Sequence, residues 1–173
     1  MSLRLLWKSN ASMLERIQSP VVYREQEGIV SQFREHAEKC FSPIATMHHY
    51  LGMAHTSFEE VENQETVKLK KLFYALRASL ACKWIIDKES APPIVFMTMV
   101  DELSFDEGLK DRIKQLIVLK SVKNENYVHP RKEKLNQFIK LQLKLGQEQA
   151  NYLKGRGDND VDLDAFFRNV LKM

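Results

Sequence analysis

Three side chains on one stretch of the sequence could meet a phosphate: Lys70, Tyr74 and Arg77, spaced i, i+4 and i+7. On a helix this spacing sets them in a line along roughly 10 Å of one face. Arginine presents a planar fork to phosphate oxygens, and lysine a mobile point charge. A phenol between them can stack on a base or hydrogen-bond a ribose. Lys68 and Lys71 point progressively further round the same helix. A plainer alternative stays open: the lysines are solvated, and Arg77 pairs with a carboxylate of a neighbouring helix.

Other reactive residue types fall into weaker patterns. His48 and His49 are adjacent and so diverge on a helix, and His55 is six residues past His49, which is poor spacing for a shared metal. His49 reads as a partly buried, hydrogen-bonded side chain, and His36 and His129 as isolated surface residues. Asp158, Asp160, Asp162 and Asp164 suggest an acidic metal loop. A helix-loop-helix calcium site needs Gly at its sixth position and Glu at its twelfth, where this chain has Leu163 and Asn169. These carboxylates are expected instead to cap the last helix and favour its positive end. The chain has no Gly-rich phosphate loop, no paired-cysteine zinc pattern and no Gly-x-Ser-x-Gly elbow. Cys82 lies in an apolar helix with nothing to activate it as a nucleophile.

The elements that must carry these residues read as helices. Asn10 caps a short helix that Ser19-Pro20 ends. A second runs from about residue 24 to 40, with Ile29, Val30, Phe33 and Ala37 at helical spacing. Ser42 caps a third, with Pro43 at its first position, where a missing N–H costs nothing. The clearest helix is 65–88, where Leu69, Leu72, Phe73, Leu76, Leu80 and Trp84 form one stripe. Further helices are expected after Pro92-Pro93, over 106–120, from Pro130 onward with Gly146 as a possible kink, and over 163–171. No strong strand signal is present. The predicted fold is all-α, a bundle of about seven to eight helices in a single domain over 1–173.

Composition agrees with a globular chain. The 173 residues are 44% hydrophobic and 28% charged, with few Gly or Pro, which excludes long disorder. No apolar run is long enough to span a bilayer, so no membrane partner is expected. Two cysteines do not make a disulfide framework, and a cytoplasmic protein with reduced thiols is expected. The net charge is only 26 − 23 = +3. Between Lys110 and Lys154, however, eleven Lys/Arg face four Asp/Glu, a local excess of +7. That tract is either a solvated helical face or a surface that meets phosphates, such as those of RNA.

Three stretches in register resemble a known family. They are Leu5-Leu6-Trp7-Lys8-Ser9-Asn10 with Ser19-Pro20-Val21-Val22-Tyr23, then Cys40-Phe41-Ser42-Pro43 with Tyr50-Leu51-Gly52-Met53-Ala54, then Val67 to Trp84. Their order and spacing are similar to nucleotidyltransferases of the DNA polymerase β superfamily, in particular the RNA-ligase-associated group. The resemblance covers about 5–93 and leaves 94–173 as a variable helical tail. Ala11 and Arg16 depart from the family's usual Pro and Trp.

The family's catalytic half is a small α/β domain with a Gly-Ser turn and paired aspartates that bind metals, preceding the region matched here. No Gly-Ser dipeptide occurs in this sequence. The resemblance therefore implies no catalytic residue and no cofactor in this chain; magnesium and a nucleoside triphosphate are expected with the absent catalytic domain. It implies a nucleotide-binding role for the helical region, carried by Lys70, Tyr74 and Arg77, then Lys68, Lys71 and Tyr50. Lys8, Asn10 and Glu15 would lie at the seam with the catalytic half. Expected partners are a nucleotide, RNA, and the absent domain or a second copy, the last two marked by an apolar seam near Leu5, Leu6 and Trp7. The alternative is a non-catalytic helical module that binds RNA or another protein.

Overall fold

Local side-chain caps mark the start of four of the nine helices among the described residues. The computed structural model describes residues 2–23, 28–130, 133–155 and 162–172. After a short α1 (Ser2–Trp7), the Asn10 side chain accepts the Met13 amide at 3.0 Å and opens α2 (Ala11–Ile17). α3 (Ile29–Cys40) starts after Gly28, whose φ of 79° suits glycine. The expected start of this helix, residues 24–27, lies outside the described residues. Ser42 caps α4 (Pro43–Glu59) through the Ala45 amide, with Pro43 at its first position. Asp106 caps α7 (Glu107–Val122), and Asp162 caps α9 (Leu163–Lys172) by accepting the Ala165 amide at 2.7 Å. Asp158 and Asp160 lie outside the described residues.

The long apolar helix is α5 (Leu69–Lys88), and it begins four residues later than its periodicity suggests. Residues Thr66–Lys68 form a strand, β1, paired antiparallel with β2 (Val128–Pro130) in the register Val67↔His129. β-Branched Thr66 and Val67 suit an extended chain, and Val67 is buried by it. Pro130 thus ends a strand instead of opening a helix, and α8 runs Glu133–Ala150. Among the described residues there are nine helices and this one two-stranded ribbon, so the architecture is all-α apart from the ribbon.

α5 is the hub. The whole expected stripe, Leu69 to Trp84, is buried, and so are Ala75, Ala78, Ala81, Cys82 and Ile85 on its other sides. It packs against α4 and α8, with α6 (Phe96–Glu102) across its outer side. Gly146 lies within the continuous α8, not at a break in it. A methyl there would come within 2.9 Å of Leu51 Cδ2 and 3.4 Å of Met47 Sδ, so the glycine is what lets α8 approach α4. Leu141, one of three alternating leucines, is half-exposed while Leu143 is buried, as a helix requires.

A second, smaller core joins α1, α2, α3 and α9 through Leu6, Leu14, Ala37, Cys40 and Leu163. Leu6 is fully buried there, while Trp7 is partly exposed. His36 is half-buried against Phe166 and His129 against Tyr127, so neither stands alone at the surface. The two cores are joined by polar contacts. Ser9 Oγ meets Thr46 Oγ1 at 3.1 Å and accepts the Ser42 amide at 2.9 Å. Among the described residues, no helix is long and apolar enough to cross a membrane.

Candidate nucleotide- and phosphate-binding groove

Because α5 is buried on most sides, little of its first half can reach solvent: Lys70, Lys71 and Tyr74 are exposed, and Arg77 partly so. Lys70, Tyr74 and Arg77 all line one groove of about 560 Å³, within the range of small-molecule sites. Three elements build it. α5 forms the floor, Val95, Phe96 and Met97 one wall, and the end of α7 with the following loop the other. The ribbon closes the groove at one end, since Lys68 precedes Leu69 and pairs with Val128, next to Tyr127.

The opposite wall adds residues that no local spacing on α5 reveals: Lys120, Lys123 and Tyr127. The Lys120 ammonium sits 5.0 Å from the centre of the Phe73 ring, and Lys123 5.4 Å from that of Tyr127. Phe73 in turn meets Phe96 edge to face at 5.6 Å. Lys70, Lys120 and Lys123 make no ion pair among the described residues. Their neighbours do: Lys71 with Glu60, Lys110 with Glu107 and Lys114 with Asp101, each at 2.9 Å. Three cations without an ion pair among the described residues therefore meet at the groove, beside Tyr74, which is 50% exposed. Three ammonium groups and an accessible phenol ring suit phosphate oxygens next to a stacked base.

The remaining expected residues are placed elsewhere. Lys68 is exposed on the ribbon and precedes α5 without lining the groove. Lys71 turns toward the end of α4 and is paired there. Tyr50 is 2% exposed and donates its hydroxyl to Glu15 Oε1 at 2.9 Å. Burial, reinforced by the Glu15 charge and this hydrogen bond, pushes the phenol well above its ordinary range. Tyr50 is thus an interior residue and does not line the groove.

Arg77 borders the groove, but its guanidinium is engaged by partners within the chain. Nη2 meets Glu15 Oε1 at 3.0 Å and the Pro93 carbonyl at 3.5 Å, and Nη1 donates to the Ile94 carbonyl at 2.9 Å. The carboxylate of a neighbouring helix is its partner, as the plainer alternative had it. Glu15 and Asn10 therefore serve contacts within the chain, the first to Tyr50 and Arg77 and the second to the α2 cap.

The basic tract from Lys110 to Lys154 was the sequence signal for Lys120 and Lys123, although spacing alone did not single them out. Much of that tract is compensated or turned away from the groove, and Arg131 and Lys132 lie outside the described residues. Among the described residues, no three His, Cys, Asp or Glu side chains come together to hold a metal, and Glu125 is the groove's one carboxylate. Cys82, buried beside Gly146, has its thiol pushed up to about 12 by burial, which fits a packing role.

Comparison with known proteins gives this groove a family context. The chain is 32% identical over 172 residues to the uncharacterized protein YcgL of Bacillus subtilis (strain 168), covering 99% of this chain and 66% of that protein. It thus spans somewhat less than two thirds of that relative's length. No solved structure matches it. A family model, the RNA repair pathway DNA polymerase beta family, matches residues 2–169. The likeness is therefore not confined to 5–93, and the segment after Pro93 is matched with the rest, including the groove wall that holds Lys120 and Lys123. The chain belongs to the RNA repair pathway DNA polymerase beta family.

Proposed function

We propose that the groove on α5 binds the phosphates and base of a nucleotide or an RNA acceptor, as the helical substrate-binding portion of a nucleotidyltransferase. The observation that carries this reading is the convergence of Lys70, Lys120 and Lys123, none in an ion pair among the described residues, around exposed Tyr74. Family membership supports a nucleotidyltransferase-like role. Metal-held carboxylates that activate a nucleophile and neutralise pyrophosphate are not formed by the described residues. On this reading, magnesium and the nucleoside triphosphate meet at carboxylates supplied from outside the described residues. The reading takes the chain as cytoplasmic, supported by its two buried, free thiols.

The second reading, a module that binds RNA without catalysis, is favoured by the same absence of a carboxylate cluster among the described residues. Thermal-shift measurements with ATP, GTP, CTP and UTP, with and without magnesium, distinguish the two when run beside anisotropy with a short labelled single-stranded RNA. Ligand at about 100 times its dissociation constant stabilises by roughly 2.7 kcal/mol, or on the order of 5–10 °C for a chain of this size. A nucleotide-selective shift lost in Lys120→Ala supports the first reading. RNA binding without any nucleotide shift supports the second, and no response to either ligand overturns both.

A further inference from the structure

The segment that leads into the groove wall is held from two directions. From the C-terminal end of α2, the Gln18 side chain donates to the Pro92 carbonyl at 3.2 Å and accepts the Ile94 amide at 3.0 Å. From α5, Arg77 donates to the Pro93 and Ile94 carbonyls. Two side chains thus engage the polar groups of three consecutive residues, directly before Val95, Phe96 and Met97. Glu15 orients Arg77 for this task and is itself oriented by Tyr50.

We infer that Arg77 is a positioning residue and not a phosphate ligand: with Glu15 and Gln18 it sets where the Val95–Met97 wall stands relative to α5. This rests on the groove being the binding site, and it assigns a new role to the residue most suited by type to grip a phosphate. The geometry explains why an arginine is needed. Lysine keeps the charge but cannot present a planar fork to a carboxylate and two carbonyls at once. Freeing Arg77 for a ligand would leave the Glu15 carboxylate and two backbone carbonyls to find other donors.

The two roles for Arg77 predict opposite results. If it ligated phosphate, Glu15→Gln would release it from a competing carboxylate and tighten RNA binding. If it positions the wall, Glu15→Gln loosens the clamp and weakens binding several-fold. A phosphate ligand also contributes about 0.7 to the slope of log affinity against log salt on a single strand. Arg77→Met, which removes the charge, is therefore expected to weaken binding of the labelled RNA while leaving that slope unchanged, whereas Lys120→Met lowers the slope.

Amide hydrogen exchange over residues 94–97, the first amides after Pro92-Pro93, reads the clamp without any ligand. It should quicken there in Arg77→Lys and Gln18→Ala, while α4 and α8 keep their protection. Tighter binding in Glu15→Gln, or unchanged exchange over 94–97 in both variants, overturns the inference. If the wild-type chain binds neither RNA nor nucleotide, the groove reading fails, and the clamp stands or falls on exchange alone.

Discussion

The ammonium of Lys120 rests over the ring of Phe73, 5.0 Å from its centre, and so joins the end of α7 to the floor of the groove on α5. The ring face attracts the cation without neutralising it, unlike a carboxylate. Lys120 is thereby kept near the groove with its charge available. Lys120→Met keeps most of the stem and removes the charge. It should weaken RNA or nucleotide binding by about tenfold, with the salt slope falling by about 0.7. Thermal unfolding of the variant should lie within a few degrees of wild type, since only one exposed cation–π contact of about 0.5–1 kcal/mol is lost.

Lys71 provides the contrasting case. It neighbours Lys70 in sequence but pairs with Glu60 at 2.9 Å, both half-exposed. Lys71→Ala should leave ligand affinity unchanged. Its effect on stability should stay below about 1 kcal/mol, as for other exposed pairs. Matched anisotropy titrations of Lys70→Ala and Lys71→Ala check this, with a clear loss expected only in the first.

Gly146 is set against Leu51 and Met47 with no room for a methyl. Helix propensity alone would favour Gly146→Ala by about 1 kcal/mol. Overpacking a buried contact costs about 1–3 kcal/mol, and both neighbours are buried. The expected net result is a loss of about 1 kcal/mol in denaturant unfolding. A gain would mean that Leu51 moves aside at no cost.

Alkaline pH should destabilise the fold through two interior groups. Burial raises the Cys82 thiol from 9.0 to about 12 and also raises the Tyr50 phenol from 10.0. The folded state then holds protons that the unfolded state gives up. Their contribution is fully present below pH 9 and falls from about pH 9 for Cys82 and pH 10 for Tyr50. The loss per fully linked group is on the order of 1 kcal/mol per pH unit. Cys82→Ala should flatten the fall between pH 9 and 10, measured as unfolding free energy against pH.

What could be read from the sequence was local. Asn10, Ser42 and Asp106 mark helix starts because a cap and its amide lie within three residues. The apolar stripe of α5 was legible because a buried helix repeats its pattern over many turns. The first turn assigned to that helix was not, since Thr66–Lys68 is held extended by Val128–Pro130, a pairing no local propensity encodes. The same division runs through the site. Lys70 and Tyr74 share a face by spacing alone, and the groove uses both. The partner of Arg77 lies 62 residues away in Glu15, and Lys120 reaches the groove from another helix. Tyr50 shares helical spacing with Met47, Leu51, Ala54 and Phe58, all buried on α4, so its inward place was legible, whereas its bond to Glu15 of α2 was not.

The ribbon between Thr66–Lys68 and Val128–Pro130 closes an excursion of the chain that contains α5, α6 and α7, every helix bordering the groove. Closing so long a loop costs entropy before any contact inside it is gained, and that cost grows only slowly with length. A ligand that touches α5 and the residues after α7 touches both ends of the excursion at once. Its binding energy acts on the closure itself and not on one helix. Occupying the groove would therefore make the excursion unfold as one cooperative unit, with the rise in midpoint shared by probes on α5 and on α7 alike.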